Sequence, residues 1–260
     1  MKPSVEMPEY LQARMKNYVE THDVTNGIKA DRFIEIMKTH RGFCDFANID
    51  NEEFLELKNP LIVILGDSVS GGHFEAGDLR KLEIAQDPFA GYAMKFLQML
   101  HEEYPVTTPS LINSGIAGDN IHGMHKRLKR DVLRYDPDLV VLNASINWSV
   151  NRGSLESFGR EYEAVVCEIL SETAADLILV TANAKISDDK DPNFDERTQF
   201  IRQLADKYRL PLADFRKIFD ETLSKEELKL VLSNGENHPT PFAHTIMAAA
   251  LMQTVKESKR

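Results

Sequence analysis

The sequence predicts an α/β fold: three layers, doubly wound around a mostly parallel five-stranded sheet, with a helical N-terminal extension. Two observations carry this. Short apolar runs without a polar alternate face recur from Leu61 onward, which means burial on both faces, as in parallel strands covered by helices above and below. Between them lie longer segments whose apolar residues return every three or four positions, the period of an amphipathic helix. At 260 residues the chain can bury a substantial core in one large domain.

Residues 1–57 contain no convincing strand. "MPEYLQARMKNYVE" and "KADRFIEIMKTH" both read as amphipathic helices, and "NIDNEEFLELKNP" as a polar lead-in with Pro60 just ahead of the first apolar run. This part is expected to pack as an extension on the main domain, residues 58–260. There the strands are Leu61–Leu65, Ser110–Asn113, Leu139–Leu142, Leu177–Thr181 and a weak one near Leu212. Helical patterns lie between them at about residues 88–103, 120–134, 157–171 and 194–208, with a last one at about 240–257.

Composition narrows the function. With 41 acidic residues against 31 basic ones the net charge is −10, which disfavours nucleic acid or an anionic membrane as partner. The cluster Lys126, Arg127, Lys129, Arg130 is expected to be a solvated helix face. Cys44 and Cys167 lack metal-ligand spacing and read as buried free thiols. No stretch reaches the roughly 18 apolar residues of a bilayer span, and the N-terminal residues lack an apolar signal core. The expectation is a cytoplasmic protein without membrane partner, for which homo-oligomer formation is open. No metal site is expected: His122 and His125 read as a surface pair, and "SDDKDPNFDE" (187–196), which lacks the glycine and ligand spacing of a calcium loop, reads as a solvated loop and helix cap.

In a doubly wound sheet, ligands bind beyond the carboxyl ends of the strands. After the first strand comes Gly66-Asp67-Ser68, which would expose a hydroxyl at a sharp strand-to-helix turn beside amides able to stabilise an anion. Asp67 itself is expected to accept backbone N–H bonds and hold that turn. After the second strand comes "NSGIAGDN" (113–120), after the third "NASINWS" (143–149), and just before the last helix "SNGENHPT" (233–240), which carries His238. His73 and Glu75 follow the first turn and read as a solvated helix start.

These four pieces, in this order, resemble the SGNH (GDSL-type) hydrolase superfamily, whose blocks supply Ser, Gly, Asn and His. The resemblance covers about residues 58–257 and implies the flavodoxin-like three-layer SGNH hydrolase fold. By it Ser68 is the nucleophile and His238 its base, with the Ser68 and Gly118 backbone amides and the Asn147 side chain as oxyanion donors. Glycine at 118 would let the backbone approach closely. In the third block Ser145 replaces the usual glycine and Trp148 the usual aspartate. In the fourth, the aspartate usually found three residues before the histidine is replaced by Gly235. The residue that orients His238 is thus open between Asn234, Glu236 and a Ser-His dyad. Trp148 follows Asn147 directly and either stacks on substrate or is a core aromatic.

The implied activity is that of a cofactor-free serine esterase. It would hydrolyse a small acyl ester, acetyl foremost, of a small molecule such as an acylated sugar, through an acyl-serine intermediate. An acyltransferase using the same acyl-serine, or a catalytically weak binding module, are the alternatives.

Overall fold

Five strands form one sheet in the order β2-β1-β3-β4-β5, and every neighbouring pair is parallel. They are β1 (Leu61–Gly66), β2 (Ser110–Gly115), β3 (Leu139–Leu142), β4 (Asp176–Val180) and β5 (Leu212–Ala213). The computed structural model describes residues 7–39, 58–74, 86–148, 153–186 and 191–257. All five expected strands are present. Of the two at the edges, β2 is only half-buried, against the expected burial, and β5, expected to be weak, is two buried residues long.

The described helices are α1 (Glu9–Thr21), α2 (Asp31–Thr39), α3 (Tyr92–Glu103), α4 (Ile121–Asp131), α5 (Leu155–Glu172), α6 (Phe194–Tyr208), α7 (Phe215–Thr222), α8 (Lys225–Val231) and α9 (Pro241–Val255). Of these, α7 and α8 were not expected from the sequence. Their starts are set by side-chain caps, Asp214 accepting from the Lys217 N–H and Ser224 from the Glu227 N–H. Such caps satisfy donors that have no partner within the helix.

The pleat divides the strand residues between two cores. Ile62, Ile64, Leu139, Val141, Ile178 and Val180 face the cluster built with α1, α2, α3, α7 and α9. Val63, Leu65, Val140, Leu142, Leu177 and Leu179 face the cluster built with α4, α5 and α6. Both faces of each central strand are therefore apolar, which is why their sequences show no alternation.

The segment 7–39 covers the β5 edge. Thr25 makes an antiparallel bridge to Ala213, and the Asp214 N–H donates to the Val24 carbonyl at 2.8 Å. Gln253 of α9 clasps the same segment, accepting from the Val24 N–H at 2.9 Å and donating to the Val19 carbonyl at 2.6 Å. Covering an edge in this way removes a row of unpaired backbone groups. Among the described residues no helix is long and apolar enough to cross a membrane.

The strand order reverses between β1 and β3. The loops after these two strands and after β2 therefore lie at the carboxyl edge, where doubly wound sheets take their ligands.

Candidate active site

The run of apolar residues in β1 ends at Gly66, and the chain turns at once. Gly71 donates its N–H to the Asp67 carbonyl at 2.9 Å and His73 to the Ser68 carbonyl at 3.1 Å. The Asp67 carboxylate, fully buried, accepts the Val69 N–H at 2.9 Å on Oδ1, the turn-holding role expected of it. Among the described residues its Oδ2, also buried, has no hydrogen-bond partner. Burial, with a smaller push from the charge of Asp119, raises this carboxyl to about 7. Ser68 then stands at the crest of the turn.

His238 arrives from the other end of the chain. Its imidazole Nε2 lies 2.8 Å from Ser68 Oγ across 170 positions of sequence, and both side chains are buried. The loop that carries it winds around Asn234, whose Oδ1 accepts the backbone N–H of Glu236, Asn237 and His238, each at 3.0 Å. The segment after β4 docks against the same loop: Asn183 Nδ2 donates to the Asn237 carbonyl at 2.9 Å and the Ile186 N–H to the Glu236 carbonyl at 2.8 Å. A helix-capping threonine, Thr240, then starts α9 with Pro241 in its first turn.

The loop after β2 is stitched to the turn after β1. The Ile116 N–H donates to the Gly66 carbonyl at 3.1 Å. Arg127 of α4 reaches the same carbonyl at 2.9 Å while its Nε meets Asp119 at 2.7 Å and its Nη1 meets Asp131 at 2.7 Å. Arg127 is thus 8 % exposed and locked in place, not part of the solvated face expected for the 126–130 cluster. Gly118 sits in this loop at φ +74°, in the left-handed region. A methyl group built there would meet no described protein atom within 4 Å, so the backbone conformation by itself already favours glycine. Asn147, after β3, donates from Nδ2 to the Asp119 carbonyl at 3.0 Å. The third block is thereby tied to the residue following Gly118.

Asn234 holds the histidine loop through its side-chain Oδ1, as described. Glu236 is exposed, and its backbone, through the two bonds given above, is what it contributes to the loop. Trp148 is 5 % exposed and belongs to the core: its indole N–H donates to the Gly153 carbonyl at 3.2 Å, and its ring meets Phe158 edge-on. Of the two readings of this residue, its burial and its place in the core cluster favour the core aromatic. Ser145, where the glycine was expected, is fully buried, and its carbonyl accepts from Arg197 Nε at 3.3 Å.

Away from the site, Cys167 is a free thiol but an exposed one on α5, against the expected burial, while Cys44 and Glu75 lie outside the described residues. His122 and His125 face carboxylates on α5: His125 Nδ1 lies 2.7 Å from Glu161 and Nε2 3.2 Å from Glu168. Within 187–196 the described Asp191 is not solvated but buried, held by both terminal nitrogens of Arg197 at 2.8 and 2.6 Å.

Sequence reasoning passed over a polar group behind the nucleophile turn. Ser70 Oγ and Tyr92 OH are 2.6 Å apart, and Asn143 Nδ2 lies 3.4 Å from each. Asn113 Nδ2 donates to the Ser70 carbonyl at 2.7 Å. The two asparagines at strand ends carried a signal, since such side chains seek backbone partners. Tyr92 carried none, because a lone tyrosine at a helix start reads as ordinary core.

A family model described as the GDSL-like Lipase/Acylhydrolase family matches residues 64–246. An acetylxylan esterase from Geobacillus stearothermophilus is 25% identical over 177 residues, which make up 64% of this chain and 80% of that protein. The fold is shared with a lipase/acylhydrolase from Enterococcus faecalis, at a TM-score of 0.60 and 22% identity over 75% of this chain and 94% of that one. It is shared equally with the solved structure of an acetylxylan esterase from Geobacillus stearothermophilus, at 0.59 and 20% over 76% and 95%.

Proposed function

This chain belongs to the GDSL-like lipase/acylhydrolase family and is a carboxylic ester hydrolase; from that premise we propose that it is a serine esterase removing a small acyl group, acetyl foremost, from a carbohydrate ester. The observation that carries the mechanism is the 2.8 Å hydrogen bond between Ser68 Oγ and His238 Nε2. A serine hydroxyl is a weak nucleophile at neutral pH and needs such a base. The acetyl and sugar parts of the reading draw on the similarity to an acetylxylan esterase.

In the proposed reaction Ser68 Oγ bonds to the ester carbonyl carbon as its proton passes to His238 Nε2. Negative charge moves to the carbonyl oxygen, where the Ser68 and Gly118 amides and Asn147 Nδ2 would donate. Asn147 has the capacity for this: its amide carries two N–H groups, and one is used on the Asp119 carbonyl. Each such donor is worth about 2.7–4 kcal/mol in the transition state. Collapse breaks the bond to the alcohol oxygen, which takes the proton from His238. Water then attacks the acyl-serine, its proton returning through His238, and the acid leaves as Ser68 Oγ regains a proton.

The test is a panel of aryl esters from acetate to hexanoate, together with acetylated xylo-oligosaccharides, run on wild type and Ser68→Ala. The acetate should be turned over fastest, acetate should be released from the oligosaccharide, and Ser68→Ala should lose at least about a thousandfold in kcat. Undiminished turnover by Ser68→Ala would overturn the reading. A preference for longer chains would overturn its acetyl part alone.

A further inference from the structure

The nucleophile and its base come from opposite ends of the chain, and the bond between them is 2.8 Å long. Something must hold the β1 turn and the start of α9 at that separation, since a reacting pair displaced by about 1 Å can lose on the order of a hundredfold in rate. One residue touches both. Tyr92, the first residue of α3, is fully buried. Its hydroxyl lies 2.6 Å from Ser70 Oγ, two residues beyond Ser68 on the same turn. Its backbone N–H donates to His244 Nδ1 at 3.1 Å, six residues beyond His238 and on the first turn of α9. The rings of Tyr92 and His244 also stack, with centroids 6.0 Å apart and planes 13° from parallel.

Each contact is made in a space closed to water. Ser70 Oγ packs over Gly66 so tightly that a methyl group built on Gly66 would stand 2.0 Å from it. Asn143 approaches both hydroxyls at 3.4 Å, and Asn113 holds the Ser70 carbonyl at 2.7 Å. His244 is fully buried, and burial, aided by His238 and Lys95, lowers it to about 3, so its Nδ1 stays an acceptor at any working pH. Burial likewise raises the Tyr92 phenol, which therefore stays a neutral hydroxyl. The network is a fixed strut that neither gains nor loses charge while the reaction proceeds.

We infer that Tyr92 is a positioning residue for the ester hydrolysis, bracing the Ser68 turn through Ser70 and the His238-bearing helix through His244. This rests on the reading of Ser68 and His238 as the reacting pair. A residue that merely filled the core would be served equally well by phenylalanine. A strut would not, because the bond to Ser70 is its working end.

The experiment compares wild type, Tyr92→Phe, Ser70→Ala and the double variant on an aryl acetate. It also follows the rate at which an active-site phosphonate labels Ser68, with Ser68→Ala alongside. Tyr92→Phe should lower kcat and the labelling rate ten- to a hundredfold while KM changes less than twofold. Ser70→Ala should do the same, and the double variant should be no worse than the poorer single one. His244→Leu should lose activity comparably, with most of it recovered in His244→Asn, which restores an acceptor near the Nδ1 position. Folded Tyr92→Phe with kcat and labelling within twofold of wild type would overturn the inference, as would fully multiplicative losses in the double variant. Should Tyr92→Phe not fold, Ser70→Ala tests the same bond from its other end, and wild-type kcat and labelling there would overturn the inference equally. If Ser68→Ala itself keeps wild-type turnover, the underlying mechanism fails first; if it is dead while Tyr92→Phe is unimpaired, only the strut falls.

Discussion

The turn that carries Ser68 and the loop that carries His238 meet at one hydrogen bond but are held by different means. Behind the turn, buried side chains do the holding: Asp67 on Val69, Asn113 on Ser70, Tyr92 and Asn143 around the Ser70 hydroxyl, and Arg127 across Gly66, Asp119 and Asp131. The histidine loop is tied chiefly by short-range bonds onto its own backbone: Asn234 Oδ1 accepts three of its N–H groups, Ser233 Oγ donates to the His238 and Pro239 carbonyls, and two bonds fasten it to β4's exit. Buried polar networks are costly to leave half-made, whereas a loop at the surface can trade a lost partner for water. Disturbing the turn should therefore cost stability, and disturbing the loop should cost mainly rate.

The sharpest way to break this contrast is Arg127→Met. It would leave Asp119 and Asp131, whose carboxyl is lowered to about 2 chiefly by Arg130 and then Arg127, without a buried partner. Removing one member of a buried ion pair typically costs about 3–5 kcal/mol. Denaturant unfolding should register a loss in that range, and a loss below about 1 kcal/mol would mean that the turn is not held from behind.

Asp67 gives the same side a pH signature of nearly equal size. Its carboxyl sits near 7 in the fold and near 3.9 in an unfolded chain. Between those values the native state keeps a proton that the unfolded state has lost, so the native state is progressively disfavoured as pH rises from about 4 to 7. Asp67→Asn keeps an acceptor for the Val69 N–H but cannot ionise. Its stability relative to wild type should rise across that window by as much as about 4 kcal/mol. A difference that stays flat with pH would show that the carboxylate is not desolvated.

Much of this was legible beforehand, and the part that was not has a physical reason. The sheet showed in the sequence because β1, β3 and β4 are apolar on both faces. Ser68 showed because it stands where β1 ends and the chain turns, and His238 through the order of the four blocks and the resemblance they carry. Arg127 did not, since a basic run on a helix looks solvated until the fold turns one member of it inward onto Asp119, Asp131 and the Gly66 carbonyl. Asp191 misled for the same reason, its partner Arg197 being on the following helix. Trp148 stayed open between two readings because adjacency to Asn147 says nothing about which way a ring points.

On the loop side the expected effects are smaller. Asn234→Ala removes the acceptor of three backbone N–H groups in a half-exposed segment, where water can replace part of what is lost. Stability should fall by about 1–2 kcal/mol. The kcat should drop about tenfold, because His238 is carried by the backbone that Asn234 gathers. Asn234→Asp keeps the acceptor and should recover most of both. If Asn234→Ala costs as much stability as Arg127→Met, the two halves are fastened alike and the comparison collapses.

The smallest effect sits on the same helix as the largest. His125, two positions from Arg127, points outward from α4, with Glu161 and Glu168 of α5 at its two ring nitrogens. Both bonds require both nitrogens to donate, and Glu161, foremost, raises the imidazole above its usual value. A raised histidine stabilises the fold while protonated in both states. Its contribution is therefore complete below about 6.5 and is lost as pH climbs through the higher folded value. Partial exposure limits the gain to under about 1 kcal/mol. His125→Gln should thus be slightly less stable than wild type at acidic pH and level with it at alkaline pH, measured by urea unfolding at both. A gap that is unchanged between the two would mean that packing, not charge, joins α4 to α5. The few ångströms separating an inward Arg127 from an outward His125 would then make no energetic difference of kind, which the burial of one and the exposure of the other argue against.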